Sequence, residues 1–173
     1  MSVVRRTNRK GGFTLVEILI VVIILGILAA IVIPQFTSAS QDARKNSLTS
    51  QLQTLRSQLE LYKLQHLDQL PTNLIASTPA WDQLVNRTNK DGTTGTDPAN
   101  FPFGPYLQGA PVNSLNGYTG LTTVSADVTA GASVSGSSIG YVINKSNGKV
   151  WGTTKSGGLV YNESNPADTN NDN

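Results

Sequence analysis

The sequence predicts an α+β protein: a long N-terminal α-helix, its first half suited to a membrane and its second half amphipathic, packed on a small antiparallel β-sheet head. Three observations lead there. Residues 13–33 form an apolar run with one charge; Leu48, Leu52, Leu55, Leu59 and Tyr62 recur four and three residues apart; and β-branched or aromatic runs between glycine turns are gathered in residues 121–161. Composition sets the bounds. The 173 residues are 38% hydrophobic and 14% charged, against typical values of about 45–50% and about 25%, so the chain is polar rather than highly charged. That length allows one small domain and an appendage. The absence of cysteine excludes a disulfide framework, a thiol nucleophile and a zinc-thiolate site, and the lone His66 cannot build a multi-histidine metal centre.

The first element is a basic leader, residues 1–12. Arg5, Arg6, Arg9 and Lys10 precede Phe13 with no acid among them, so of 13 basic and 11 acidic side chains, residues 13–173 keep nine and eleven. The net charge of +2 therefore belongs to the leader, and the remainder lacks the basic stripe that phosphate neutralisation needs. Nucleic-acid binding is not expected. A cationic segment before an apolar run is instead a topology signal that holds the N-terminus in the cytoplasm.

The second element, residues 13–34, is a transmembrane helix. Phe13 to Ile33 is 21 residues, about 31 Å as a helix at about 1.5 Å per residue, enough for a bilayer core. A secretory signal has an apolar region of only about 7–15 residues and a polar start after its cleavage site. Here Leu28-Ala29-Ala30 is followed by further apolar sequence. Glu17 stands out, because an acidic residue within a span needs a partner and no Lys or Arg lies in the run to supply one. Gly26 and Ala30 make a small-xxx-small pair that lets helices approach closely, and Pro34 is expected to kink the helix.

Lys10-Gly11-Gly12-Phe13-Thr14-Leu15-Val16-Glu17 resembles the processing motif of type IV pilins and of the pseudopilins of type II secretion. The resemblance implies that a membrane prepilin peptidase cuts after Gly12, that Phe13 becomes the N-methylated terminus, and that the Glu17 carboxylate pairs with the Phe13 amine of a neighbouring subunit. It implies a pilin-like fold and a homopolymeric filament, with an inner-membrane assembly platform and minor pseudopilins as further partners. The chemistry suits the spacing. An α-amine has an intrinsic pKa of about 7.7–8.0 and is largely cationic near neutrality, so amine and carboxylate in one low-dielectric layer offset each other's desolvation. Such a contact joins different surfaces on two subunits, and contacts of that kind propagate as open helices.

The third element, residues 35–70, is amphipathic. The leucine stripe predicts a helix from about Thr37 to Leu67 or Gln69, ending before Pro71, with its apolar face on the head. His66, near that end, is expected to be solvated or to meet the helix C-terminus. The fourth, residues 71–173, is a β-rich head with a polar C-terminal tail. Asn86 to Asn100 is expected as a polar loop, and Phe101 to Leu107 as an aromatic and proline-rich segment laid over sheet or helix. Gly104-Pro105-Tyr106-Leu107 and Pro111 to Gly117 loosely resemble the segment between helix and sheet of major pseudopilins. Strands are expected at Leu121–Val128, Ile139–Asn144, Lys149–Thr154 and Leu159–Tyr161, with Asn147-Gly148 as a hairpin turn.

Two further patterns invite chemistry. Gly136-Ser137-Ser138-Ile139-Gly140 matches G-x-S-x-G, but His66 precedes it and the surroundings are Gly/Ser-rich, so a loop is expected and no catalytic residue is assigned. Asp168, Asn170 and Asp172 alternate as in the first half of a calcium loop, without its glycine or closing glutamate. The resemblance to major pseudopilins implies a stabilising Ca²⁺ near the C-terminus, with Glu163, Asp168, Asn170 and Asp172 as candidate ligands; the residues themselves favour a disordered polar tail. The expected protein is a non-enzymatic filament subunit of type II secretion, anchored once in the bacterial inner membrane with a periplasmic head. Its rivals are a type IV pilin for adhesion or motility, which the missing disulfide disfavours, and a membrane-anchored periplasmic binding domain.

Overall fold

The computed structural model describes residues 12–136, 138–154 and 158–165. The chain divides into two compact units, Met1–Ser40 and Gln41–Asn173. One helix, α1, Leu15–Gln65, contributes to both.

In the first unit, among the described residues, every large apolar side chain of α1 from Leu15 to Ile33 is 40–82% exposed. The helix continues through Pro34 without a break. In the second unit the leucine stripe is the core. Leu48, Leu52, Leu55, Leu59 and Tyr62 are at most 2% exposed and pack with Trp81, Leu84, Tyr106, Tyr141, Ile143, Val150 and Tyr161. Each such buried leucine contributes about 1.5–3 kcal/mol relative to exposure. Helix and sheet meet closely at Gly152, where a Cβ would stand 2.8 Å from Leu48 Cδ2.

The helix stops at Gln65, short of the expected Leu67 or Gln69. Leu67 and Asp68 turn left-handed, with φ of 56° and 62°, and the Asp68 amide donates back to the Lys63 carbonyl. His66 lies at this turn and is not solvated. It is buried, stacked on Tyr62 with ring centroids 3.8 Å apart, and its Nδ1 lies 2.9 Å from the Tyr62 carbonyl. A carbonyl only accepts, so Nδ1 carries a proton; Nε2 faces the Thr88 hydroxyl at 3.0 Å. The ring thus does serve a C-terminal carbonyl of the helix, but from inside the core.

The aromatic segment covers the helix as expected. Tyr106 is buried beside Tyr62 and its hydroxyl donates to Gln65 Oε1 at 2.6 Å, while the Phe103 ring meets His66 edge-on. The polar loop is more ordered than its composition implies. It follows a short helix α2, Asp82–Val85, and holds an antiparallel pair, β1 Arg87–Thr88 and β2 Thr94–Gly95. Asn89 Oδ1 accepts from the amides of Asp91 and Thr93 and so builds the turn between them.

The main sheet has the order β3-β4-β5, with β3 Gly120–Val124, β4 Ile139–Asn144 and β5 Val150–Gly152. β4 and β5 form the expected antiparallel hairpin through Asn147-Gly148, Gly148 adopting φ 75°. The sheet is nevertheless mixed rather than wholly antiparallel, because β3 pairs parallel to β4. The long β3–β4 connection permits this, returning past the C-terminal segment where Ser133 bridges Leu159. Of the expected last strand, Leu159 and Val160 make only isolated bridges. Asn113, fully buried, joins the Pro111–Gly117 segment to the sheet: its Nδ2 donates to the carbonyls of Gly140 at 2.7 Å and Thr153 at 2.9 Å.

Candidate processing and assembly site

The site is built at the N-terminus of α1. Thr14 is its N-cap: the carbonyl accepts the first helical bond, from Ile18, at 3.3 Å. Glu17, three residues on, completes a capping box. The Thr14 amide donates to Glu17 Oε2 at 2.7 Å and the Thr14 hydroxyl donates to the same oxygen at 2.9 Å, while the Glu17 amide donates to Thr14 Oγ1 at 3.3 Å. Thr14-x-x-Glu17 is visible in the sequence as a capping pattern, which a search of the run for a Lys or Arg to pair with Glu17 does not find. The partner is local and neutral, so it satisfies hydrogen bonding at Oε2 without cancelling the charge.

Gly12 and Phe13 lie before the helix in irregular, exposed backbone. Phe13 is 84% exposed and a Cβ on Gly12 would meet nothing within 4 Å. The Thr14 cap marks the boundary between this exposed segment and the helix. Gly26 is equally open, with nothing within 4 Å of a Cβ. Beyond it, Thr37 Oγ1 donates to the Ile33 carbonyl at 3.2 Å. The α1 helix is long and apolar enough to cross a membrane.

The remaining candidates fall elsewhere. Asp168, Asn170 and Asp172 lie outside the described residues. Glu163 is described, and both its carboxylate oxygens accept from the Arg56 guanidinium. Ser137 of the G-x-S-x-G pattern also lies outside the described residues. Ser138 leads straight into β4 rather than into a helix, which removes the setting a nucleophile elbow requires.

Residues 7–33 match the family model of the prokaryotic N-terminal methylation motif. The chain is similar to a type II secretion system core protein G of Pseudomonas aeruginosa, 33% identical over 77% of this chain and 95% of that one. Its counterpart in Escherichia coli K12 is 33% identical over 58% of this chain and 71% of its own length, and that of Dickeya chrysanthemi 34% identical over 60% and 62%. No solved structure matches the chain. A capped apolar helix opened by a methylation motif, with a helix-on-sheet head, defines the pilin-like class of subunits. Within it, the chain belongs to the family of the type II secretion system core protein G, the pseudopilins that its opening motif resembles.

Proposed function

We propose that this chain is a non-enzymatic structural subunit of a pseudopilus-type filament supporting type II secretion. A prepilin peptidase cuts between Gly12 and Phe13, Phe13 is N-methylated, and the mature subunit stays anchored in the inner membrane with its head in the periplasm. An assembly platform and minor pseudopilins act with it. Each incoming Glu17 then pairs with the Phe13 amine of a subunit already in the filament, and neighbouring helices pack around Gly26 and Pro34.

One arrangement carries the reading: a carboxylate held at the third helical residue, shortly after an exposed Gly12–Phe13 bond, at the head of a helix whose large apolar side chains are exposed among the described residues. A bilayer or other copies of the helix must cover that surface. Cutting the bond creates an amine one residue before the cap, in the same layer as Glu17. The uncut chain has no such amine, which makes processing a precondition for assembly.

Intact mass and the N-terminal peptide of the membrane-extracted protein test the processing step. The expected species begins at N-methyl-Phe13. A chain that keeps residues 1–12 in cells with active prepilin peptidase would overturn the proposal. In a deletion strain, loss of secretion of folded proteins is expected; loss of long surface fibres with secretion intact would instead assign the filament to a pilus.

A further inference from the structure

The C-terminal segment is fastened to α1 by a guanidinium. Arg56 Nη1 donates to Glu163 Oε2 at 2.9 Å and Nη2 to Glu163 Oε1 at 2.6 Å, a two-pronged fork on one carboxylate. Nη2 also donates to the Val150 carbonyl, again at 2.6 Å. A single side chain thus joins the stem helix, the first residue of β5 and the segment that follows Tyr161. Next to Val150, the Lys149 ammonium is paired with Asp127, which also accepts from the amides of Asn144 and Asn147 at 2.6 and 2.8 Å. That environment holds the Asp127 carboxyl at about 2.

These partners bear on the calcium that the resemblance implies. A calcium site takes six to eight oxygens, several of them carboxylate. Both Glu163 oxygens already accept from the Arg56 guanidinium, a like charge to any bound dication, and Asp127 is already surrounded by an ammonium and two amides. Glu163 is the one acidic side chain lining a cavity of about 340 Å³ formed with Val128, Trp151 and Tyr161, and a second cavity of about 170 Å³ is lined by Arg56 and Lys149 together with Glu60. A dication there would meet two like charges against one carboxylate, Glu60, which already accepts from the Lys63 ammonium. Among the described residues no group of three or more His, Asp or Glu gathers to hold a metal ion. Glu163 therefore does not fit the ligand role.

We infer that Arg56 is the built-in cation of this head: it fastens the C-terminal segment through Glu163 and the Val150 carbonyl, with the Lys149–Asp127 pair beside it, in place of a divalent metal. The full chain in detergent tests this through its thermal midpoint and through protease release of the C-terminal segment, each in EDTA and in excess calcium chloride. The wild-type midpoint is expected to be the same in both. Arg56→Gln is expected to lower it by about 2–5 °C, modest because the pair is partly exposed, and to speed release of the segment several-fold. Arg56→Lys recovers only part of this, since an ammonium cannot form the fork. Glu163→Gln gives a smaller fall, and the double variant is no worse than Arg56→Gln alone. A calcium-induced rise in the wild-type midpoint, or an Arg56→Gln protein that matches wild type in both midpoint and release, would overturn the inference.

Discussion

The Thr14 amide and hydroxyl converge on a single oxygen of Glu17, at 2.7 and 2.9 Å, so the residue proposed to dock a neighbour also caps its own helix. The two roles separate by substitution. Glu17→Gln keeps an acceptor for Thr14 but carries no charge, whereas Thr14→Ala removes the hydroxyl and leaves the charge. Loss of the cap costs about 1 kcal/mol, while leaving a neighbour's amine without its counter-charge costs about 1.5–3 kcal/mol, tenfold or more in docking. Filament yield is expected to fall at least tenfold in Glu17→Gln and only slightly in Thr14→Ala, with cleavage retained in both. The reverse order would make the cap, not the charge, the assembly determinant.

At Gly26 the helix presents open space, since a Cβ there meets nothing within 4 Å. Gly26→Ala therefore strains nothing in the subunit and favours the helix by about 1 kcal/mol. Gly26→Leu is equally harmless within one copy but fills the space a neighbouring helix would need. Helical circular dichroism should be unchanged for both variants, and filament yield should drop several-fold for the leucine variant alone. Equal yields would remove Gly26 from the packing surface.

Local features of this protein were legible in the sequence, and long-range ones were not. The leucine stripe and Asn147-Gly148 declare themselves because helical period and hairpin turns are properties of a few adjacent residues. The opening motif is readable for the same reason: Gly12, Phe13 and Glu17 lie within six residues. The parallel β3–β4 pairing depends on the path of the chain between the strands, for which no period exists. β1 and β2 are two residues each, too short to show a pattern. The burial of His66 depends on Phe103 and Tyr106, far along the chain, and the Arg56–Glu163 fork joins residues 107 apart.

Asn113 is a case where burial and hydrogen bonding together give a magnitude. Its Nδ2 bonds the Gly140 and Thr153 carbonyls and its Oδ1 accepts from the Leu115 amide at 2.8 Å, all in a fully buried position. Asn113→Ala should cost about 1–3 kcal/mol in urea unfolding, the price of leaving buried groups unsatisfied. Asn113→Asp should cost more, because a carboxylate would face two carbonyl oxygens with no hydrogen to donate. An aspartate variant as stable as wild type would show that the segment from Pro111 to Gly117 docks by other means.

Acid stability should carry the signature of Asp127. The Lys149 ammonium first, then the Asn147 and Asn144 amides, hold its carboxyl at about 2, below its ordinary 3.8. A carboxyl depressed on folding stabilises the native state above its unfolded pKa, and that contribution disappears as pH falls through the folded value. The affected window is therefore about pH 4 to 2. Asp127→Asn keeps the side chain's size and leaves nothing to titrate, so its unfolding midpoint should vary less with pH across that window than wild type does. Because the pair is exposed, salt should narrow the difference. Identical acid profiles for the two proteins would show that Lys149 and Asp127 do not interact in solution, and would leave the Asn144–Lys149 turn held by its own backbone bonds.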